Sequence, residues 1–372
     1  MTRALRTGYT TGACAAAAAK GAALMLAHQA VVSEVSIDLP TGDSALFVLY
    51  GQSFSADKAS CFVIKDAGDD PDVTNGVEVW GRILSAPFDS TQGTMLITGG
   101  IGIGTVTKPG LAIPPGEWAI NPVPRQMIEE AVGSVFSPFT LHPSPFDTAQ
   151  GKPFTLHIVI SIPDGEERAK RTLNARLGII GGLSILGTTG IVRPISAKAW
   201  TDTIDAALDV AKACGCETVV LSTGRSSEMA AQNFFTLHTS LFTLPEEAYI
   251  MMGDHVAYTL QACARRGFAA PVIACQFAKL LKIACGHENT HAAASELDLA
   301  VLLGWAEAAH ISPEFLAIIS HANTAREIAV ATGFDRALME LVSDRARNSA
   351  AVHAPGIQAQ TLLCGYDGNV FF

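Results

Sequence analysis

Apolar and polar positions alternate in a series of short runs early in the chain: Val35–Leu39, Ala45–Tyr50, Cys61–Lys65, Val77–Leu84 and Met95–Thr98. A period of two predicts strands, and strands in series without helices between them predict an antiparallel or mixed sheet. Thr155–Ile162 adds another strand, and Gln126–Val132 reads as a helix. Ahead of them all stands Ala13–Ala27, alanine on every side of a helix that Thr10 or Thr11 can cap. Such a helix presents so little side chain that its neighbours must pack very close. Further on the cadence changes. Helix Ala197–Ala213, strand Thr218–Leu221, helix Ser227–Phe235, strand Ala248–Met252, helix Asp254–Arg265, strand Pro271–Cys275 and helix Ala278–Cys285 follow in turn. Residues 292–350 read as helical, and Thr361–Cys364 returns as a strand. The expected fold is therefore an N-terminal mixed-sheet α+β domain over 1–175, followed by a C-terminal α/β domain with a mostly parallel sheet over 176–372.

Where the two cadences meet lies Gly178–Pro194, five glycines, three hydroxyls and Arg193 threaded through apolar residues. Its isoleucines, leucines and valine suit a buried strand, and its glycines mark left-handed backbone or a close approach. Two readings follow: a tight connection in an α/β core, or a backbone-lined ligand cleft. Gly182 to Thr189 has the glycine spacing of a phosphate loop, but Thr188 stands where that loop needs lysine, which argues against nucleoside-triphosphate chemistry. A second glycine-rich turn, Gly99–Gly110, follows a strand but lacks the Rossmann spacing and opens no helix; Lys108 sits in it. Asn121-Pro122-Val123-Pro124-Arg125 is a proline-fixed turn that presents Asn121 and Arg125. Between two strands, Asp66, Asp69, Asp70 and Asp72 crowd one loop; their spacing misses that of a calcium-binding EF-hand, leaving a solvated turn or a partnered loop. At the carboxyl ends of the later strands, where ligands of parallel sheets sit, come Ser222–Arg225 and Met252–His255.

Bulk properties narrow the partners. The 372 residues exceed one ordinary core. Hydrophobic residues make up 49% and mean hydropathy is +0.30, yet no apolar run reaches the roughly 18 residues that span a bilayer. No signal-type leucine core opens the chain, so a soluble cytoplasmic protein is expected. A net charge of -10 argues against non-specific nucleic-acid binding. Eight scattered cysteines, with Cys214 and Cys216 the one close pair, read as free buried thiols, and no metal site is expected. FTLH recurs at 139–142, 154–157 and 235–238, and PFDxxQG at 87–93 and 145–151; irregular spacing rules out a structural repeat, and these copies read as inserted surface loops, 137–152 being removable.

Several motifs together carry a resemblance. LRTGYTTGACAAAAAK, KDAGDDPDVTNG, GGIGIGTVTKPGL with AINPVPRQMI, ERAKRTLNARLGIIGGLSILGTTGIVRP, LPEEAYIMMGDHVAY, and the later Lys279-Leu-Leu-Lys-Ile-Ala with Thr290-His291 span nearly the whole chain. In these the sequence resembles the cobalt-precorrin-5B C1-methyltransferase (CbiD) family. It departs from the pattern at the PFDxxQG copies and at Gly286–His291. The resemblance implies S-adenosylmethionine as methyl donor, a corrin precursor as acceptor with cobalt carried inside it, and methylation at ring carbon C1 in anaerobic cobalamin biosynthesis, giving cobalt-precorrin-6A. Thr223, Gly224, Gly253 and Asp254 are the expected cofactor residues, Asp254 for the ribose hydroxyls by analogy with other α/β sites. Thr10, Thr11, Lys108, Arg125, Arg176, Gly187, Thr188, Thr189, Gly190 and Arg193 are expected to hold the acceptor, the cations meeting its carboxylates. His291 is the candidate for moving a proton, and a homo-oligomer is possible. A non-catalytic corrinoid carrier and a phosphate-binding small-molecule enzyme stay open as other classes.

Overall fold

The computed structural model describes residues 5–87, 94–136, 154–194, 196–238 and 244–371. The chain divides into two compact units, Met1–Ser196 and Ala197–Phe372. The division falls beyond the expected 175/176 because the glycine stretch pairs entirely with the first unit, as described below.

The first unit runs β1 (Gly8–Tyr9), α1 (Thr11–His28), β2 (Glu34–Asp38), β3 (Ser44–Val48), β4 (Tyr50–Phe54), β5 (Lys58–Ile64), β6 (Glu78–Pro87), β7 (Thr94–Gly99) and β8 (Thr105–Val106). Then come α2 (Pro122–Phe136), β9 (Phe154–Ser161), α3 (Gly165–Ala169), β10 (Ile179–Ile180) and β11 (Ile191–Val192). Its main sheet has the order β4-β5-β6-β9-β7, antiparallel except where β7 runs parallel to β9. This is the mixed sheet that the alternation predicts. Helix α1 lies in the core between that sheet and α2, with Ala13 to Ala19 all fully buried. A helix apolar all round must be buried all round. Its alanines let backbones meet: a Cβ on Gly81 of β6 would lie 2.6 Å from the Ala18 carbonyl carbon. Thr10 caps the helix, its hydroxyl accepting from Ala13 N–H at 3.2 Å.

The glycine stretch is not one buried strand. Ile179–Ile180 pairs antiparallel with Thr105–Val106, Leu183 and Ile185 bridge to Ile103 and Ile120, and Ile191–Val192 pairs with Gly8–Tyr9. Positive φ at Gly187 (123°) and Gly190 (78°) breaks the extended run between these contacts. The two glycine-rich segments also touch each other: a Cβ on Gly182 would lie 2.3 Å from the Gly102 carbonyl oxygen. Neither segment belongs to an α/β connection.

The second unit alternates as expected. It runs α4 (Ala197–Ala213), β12 (Val220–Ser222), α5 (Arg225–His238), β13 (Tyr249–Met251), α6 (Val256–Arg266), β14 (Val272–Cys275) and α7 (Phe277–Ala284). Four helices follow, α8 (Leu299–Ala308), α9 (Pro313–His321), α10 (Ala325–Ala331) and α11 (Arg336–His353), and then β15 (Gln360–Cys364) and β16 (Val370–Phe371). The sheet order is β13-β12-β14-β15-β16, parallel apart from β16. Val220, Tyr249, Ala274 and Leu362 face α5, while Leu221, Ile250, Ile273 and Leu363 face the larger core built by the other helices. From β12 the chain goes one way to β13, then back across to β14, so the order reverses beside β12.

The inserts divide. Residues 88–93 and 137–153 lie outside the described residues. The FTLH copy at 154–157 is no surface loop: it forms β9, where Leu156 is buried and His157 Nε2 lies 2.8 Å from Thr98 Oγ1. Residues 235–238 end α5.

Candidate functional site

In the second unit the strand ends bring the expected cofactor residues together. Ser222 and Met251 are register partners, and the Ser222 carbonyl accepts from Met252 and Gly253 N–H at 2.9 and 3.2 Å. Thr223 and Gly224 therefore leave β12 beside Gly253 and Asp254 leaving β13. The Gly224 carbonyl accepts from Ser227 Oγ and Glu228 N–H, starting α5. Gly253 turns at φ +59°, and a Cβ there would lie 2.9 Å from the Trp200 ring, whose Nε1 donates to the Met252 carbonyl at 3.1 Å.

Asp254 is the hub of this end. Its Oδ1 pairs with Lys279 Nζ and accepts from Thr290 Oγ1 at 2.6 Å, while its carbonyl accepts from Thr290 N–H at 3.0 Å. Its Oδ2 makes no hydrogen bond among the described residues. Burial raises the carboxyl's pKa, but Lys279 and Thr290 outweigh it and the net shift is downward. Lys279 and Lys282, one turn apart on α7, both donate to the Thr290 carbonyl, at 3.0 and 3.1 Å, and Lys282 also reaches the Ser295 carbonyl at 2.9 Å. Burial, then the neighbouring Lys279, pushes the Lys282 pKa down. His291 follows Thr290 but is exposed. Its Nδ1 accepts from Ala293 N–H at 3.2 Å, which assigns the neutral ring's proton to Nε2.

In the first unit the expected acceptor residues fall into groups. Thr10 and Thr11 are buried and Gly187 packs against Thr10, a Cβ there meeting it at 2.5 Å. Thr11 Oγ1 accepts from Leu186 N–H at 3.0 Å. Gly190 packs on Leu39 rather than facing open space, whereas Thr188, Thr189 and Arg193 are exposed. Lys108 Nζ donates to the Arg176 carbonyl at 3.3 Å, and its stem fills the space beside Gly178. Arg125 Nη1 reaches the Ile97 carbonyl at 3.4 Å.

Thr10 and Thr11 also line a cavity of about 320 Å³, together with Lys65, Asp72, Arg171, Asn174, Ser184 and neighbours. Lys65 is 1% exposed and its Nζ donates to Asp72 Oδ2 at 2.6 Å. Sequence reasoning missed this lysine, though a signal exists. Ala59, Cys61 and Val63 alternate inward along β5, and Lys65 continues the same parity into the core. The acidic loop is a partnered loop, not a solvated turn: Asp66 binds Arg6, Asp69 accepts from Arg6 N–H at 2.7 Å, and Asp72 holds Lys65 and Thr74. All eight cysteines are free, six of them buried, and burial pushes Cys14 up to about 12.

A two-unit protein whose second unit has a parallel sheet with its order reversing at β12, and whose first has a half-open cavity walled by Lys65 and Asp72, has the architecture of a small-molecule-binding protein with α/β and α+β parts. Comparison narrows that class. Residues 1–194 match the family CbiD, and 289–372 match the family described as CbiD, C-terminal domain. A relative from Pelobacter propionicus, named cobalt-precorrin-5B C(1)-methyltransferase, is 56% identical over 99% of this chain and 96% of its own. Relatives of the same name from Geobacter metallireducens and Geobacter sulfurreducens are each 56% identical, over 100% of this chain and 99% of theirs. A crystal structure of cobalamin biosynthesis protein (CbiD) from Archaeoglobus fulgidus is 28% identical, covers 75% of this chain and 79% of that one, and gives a TM-score of 0.39. The chain belongs to the CbiD family.

Proposed function

We propose that this chain transfers a methyl group from S-adenosylmethionine to ring carbon C1 of cobalt-precorrin-5B, yielding cobalt-precorrin-6A. The observation that carries the reading is identity of 56% along essentially the whole chain with relatives named for that reaction. When bound, the donor supplies an electrophilic methyl on a sulfonium, so the protein's part is to align and to exclude water.

The second unit's strand ends fit such a donor. Ser222 Oγ is buried there without a hydrogen-bond partner among the described residues, and space opens beside Gly224. Asp254 is anchored through Oδ1, so its Oδ2 is free to accept from ribose hydroxyls. Trp200, 46% exposed beside Gly253, offers a ring face to an aromatic base. No helix among the described residues is long and apolar enough to cross a membrane, and the reading takes donor and acceptor as small molecules met in the cytoplasm. The expected acceptor contacts are Thr10, Thr11, Lys108, Arg125, Arg176, the 187–190 backbone and Arg193. His291, exposed and with Nε2 free to donate, is the proposed proton carrier.

The test gives the chain both substrates and follows S-adenosylhomocysteine against methylated corrin. Equal amounts of each, dependent on the corrin, are expected; corrin bound without S-adenosylhomocysteine formed would leave a carrier instead. In the same preparation, Asp254→Ala should weaken S-adenosylhomocysteine binding by about 1–3 kcal/mol. Thr290→Val loosens the same loop but spares Oδ2, and should weaken binding less. Equal losses in both would mean that Asp254 acts through the loop alone.

A further inference from the structure

The first unit's cavity has a charge imbalance that its own residues do not settle. Lys65 sits 1% exposed, and its ammonium carries three N–H groups. Among the described residues only one acceptor meets it, Asp72 Oδ2. The other carboxylate oxygen, Asp72 Oδ1, is already taken by Thr74 N–H at 2.7 Å and Thr74 Oγ1 at 2.6 Å. A buried ammonium with unmet donors costs free energy unless something polar fills the space in front of it. Arg171, exposed and also lining the cavity, makes no side-chain hydrogen bond to any described residue. Two cations face one carboxylate, so the lining carries a net positive charge. Thr10 and Thr11, at the amino end of the eighteen-residue helix α1, add that helix's partial positive charge.

We propose that this cavity is a carboxylate pocket, with Lys65 within it and Arg171 among its lining cations, which receives one acidic side arm of the corrin acceptor. At about 320 Å³ it has room for such an arm. Arg171 supplies a planar fork for the two oxygens, and Lys65 supplies the donors it has left over. Asn174 is held to the Gly182 carbonyl at 3.1 Å, which keeps the pocket's wall tied to the glycine stretch. The proposal rests on the corrin reading above, and it assigns to that substrate Lys65 and Arg171, which lie in the long motifs but are not among the expected acceptor residues. A carboxylate could equally arrive on the amino-acid end of the methyl donor, so the test separates the two.

Calorimetry on the full chain uses three probes: cobyrinic acid, whose side arms are free carboxylic acids; its methyl ester, which lacks them; and S-adenosylhomocysteine. Arg171→Gln changes an exposed position and should leave the thermal midpoint alone. It should weaken cobyrinic acid at least tenfold, leave S-adenosylhomocysteine unchanged, and leave the ester's weaker binding unchanged. The double variant Lys65→Met with Asp72→Asn, which removes the ion pair together, should repeat that pattern. Wild-type affinity for cobyrinic acid in Arg171→Gln overturns the pocket. A loss confined to S-adenosylhomocysteine overturns it too and hands the cavity to the donor. Failure of the wild-type chain to bind cobyrinic acid at all contradicts the corrin reading itself, and the pocket falls with it.

Discussion

Lys65 and Asp72 form an ion pair with unequal surroundings, the lysine 1% exposed and the aspartate 24%. Burial raises the Asp72 pKa, but the Lys65 charge and the bonds from Lys65 and Thr74 outweigh it, and the net shift is downward. A carboxyl depressed in the folded state binds fewer protons there than in the unfolded chain. Its stabilisation is therefore complete above the ordinary aspartate value of about 3.9 and is lost as pH falls through the lower folded value. Asp72→Asn leaves Lys65 buried without its counter-charge. Breaking a buried pair costs roughly 3–5 kcal/mol, and the half-open aspartate puts this one towards the lower figure. Thermal melts of both proteins from pH 7 downward should show a gap that closes below about pH 4. A gap independent of pH would mean that the pair contributes through packing rather than charge. At this scale the sequence was legible in part. Thr10 could be read as a cap because hydroxyls before an alanine run have one obvious use. The place of Asp254 after a strand was readable, but not its partners Lys279 and Thr290, which lie far along the chain and meet it only through the crossover.

Among the elements, α4 begins and ends where it is predicted, Ala197 and Ala213, and the strands predicted in both units lie within a few residues of observed ones, while β1, β8 and β16 had no predicted run. Period and capping are local, so they survive folding unchanged. The glycine stretch was harder to read, because what decides it is non-local. Its short pairings go to residues 8–9 and 105–106, remote segments that no window around 178–194 contains. The consequences of its glycines can be measured. Gly190 has φ +78°, and a Cβ there would lie 2.7 Å from Leu39 Cδ2. Gly190→Val should therefore lower stability by on the order of 1–3 kcal/mol from backbone strain alone. Arg193→Lys, at an exposed position, should leave the thermal midpoint unchanged while weakening acceptor binding, because it keeps charge but loses the planar fork. If Gly190→Val unfolds the chain and Arg193→Lys alters neither midpoint nor affinity, the stretch is a packing element only.

For the whole molecule, the change of cadence foretold two units, and the boundary moved because pairing, rather than composition, assigns 176–196 to the first. Family membership was legible from long ordered motifs, several of which now have a physical reason. The LRTGYTTGAC segment caps α1 and clamps the acidic loop, KDAGDDPDVTNG holds Lys65, and the lysines of α7 meet Thr290. Which ligand each end holds was not legible, since one sequence records neighbours in the chain and not in space. The central claim is methyl transfer to one ring carbon, and the position of the transferred carbon tests it most directly. Methyl-¹³C-labelled S-adenosylmethionine and cobalt-precorrin-5B should give, with this chain, a corrin whose single enriched methyl shows its ¹³C coupling to ring carbon C1. Enrichment at any other carbon, or none beyond a control without protein, would contradict the account.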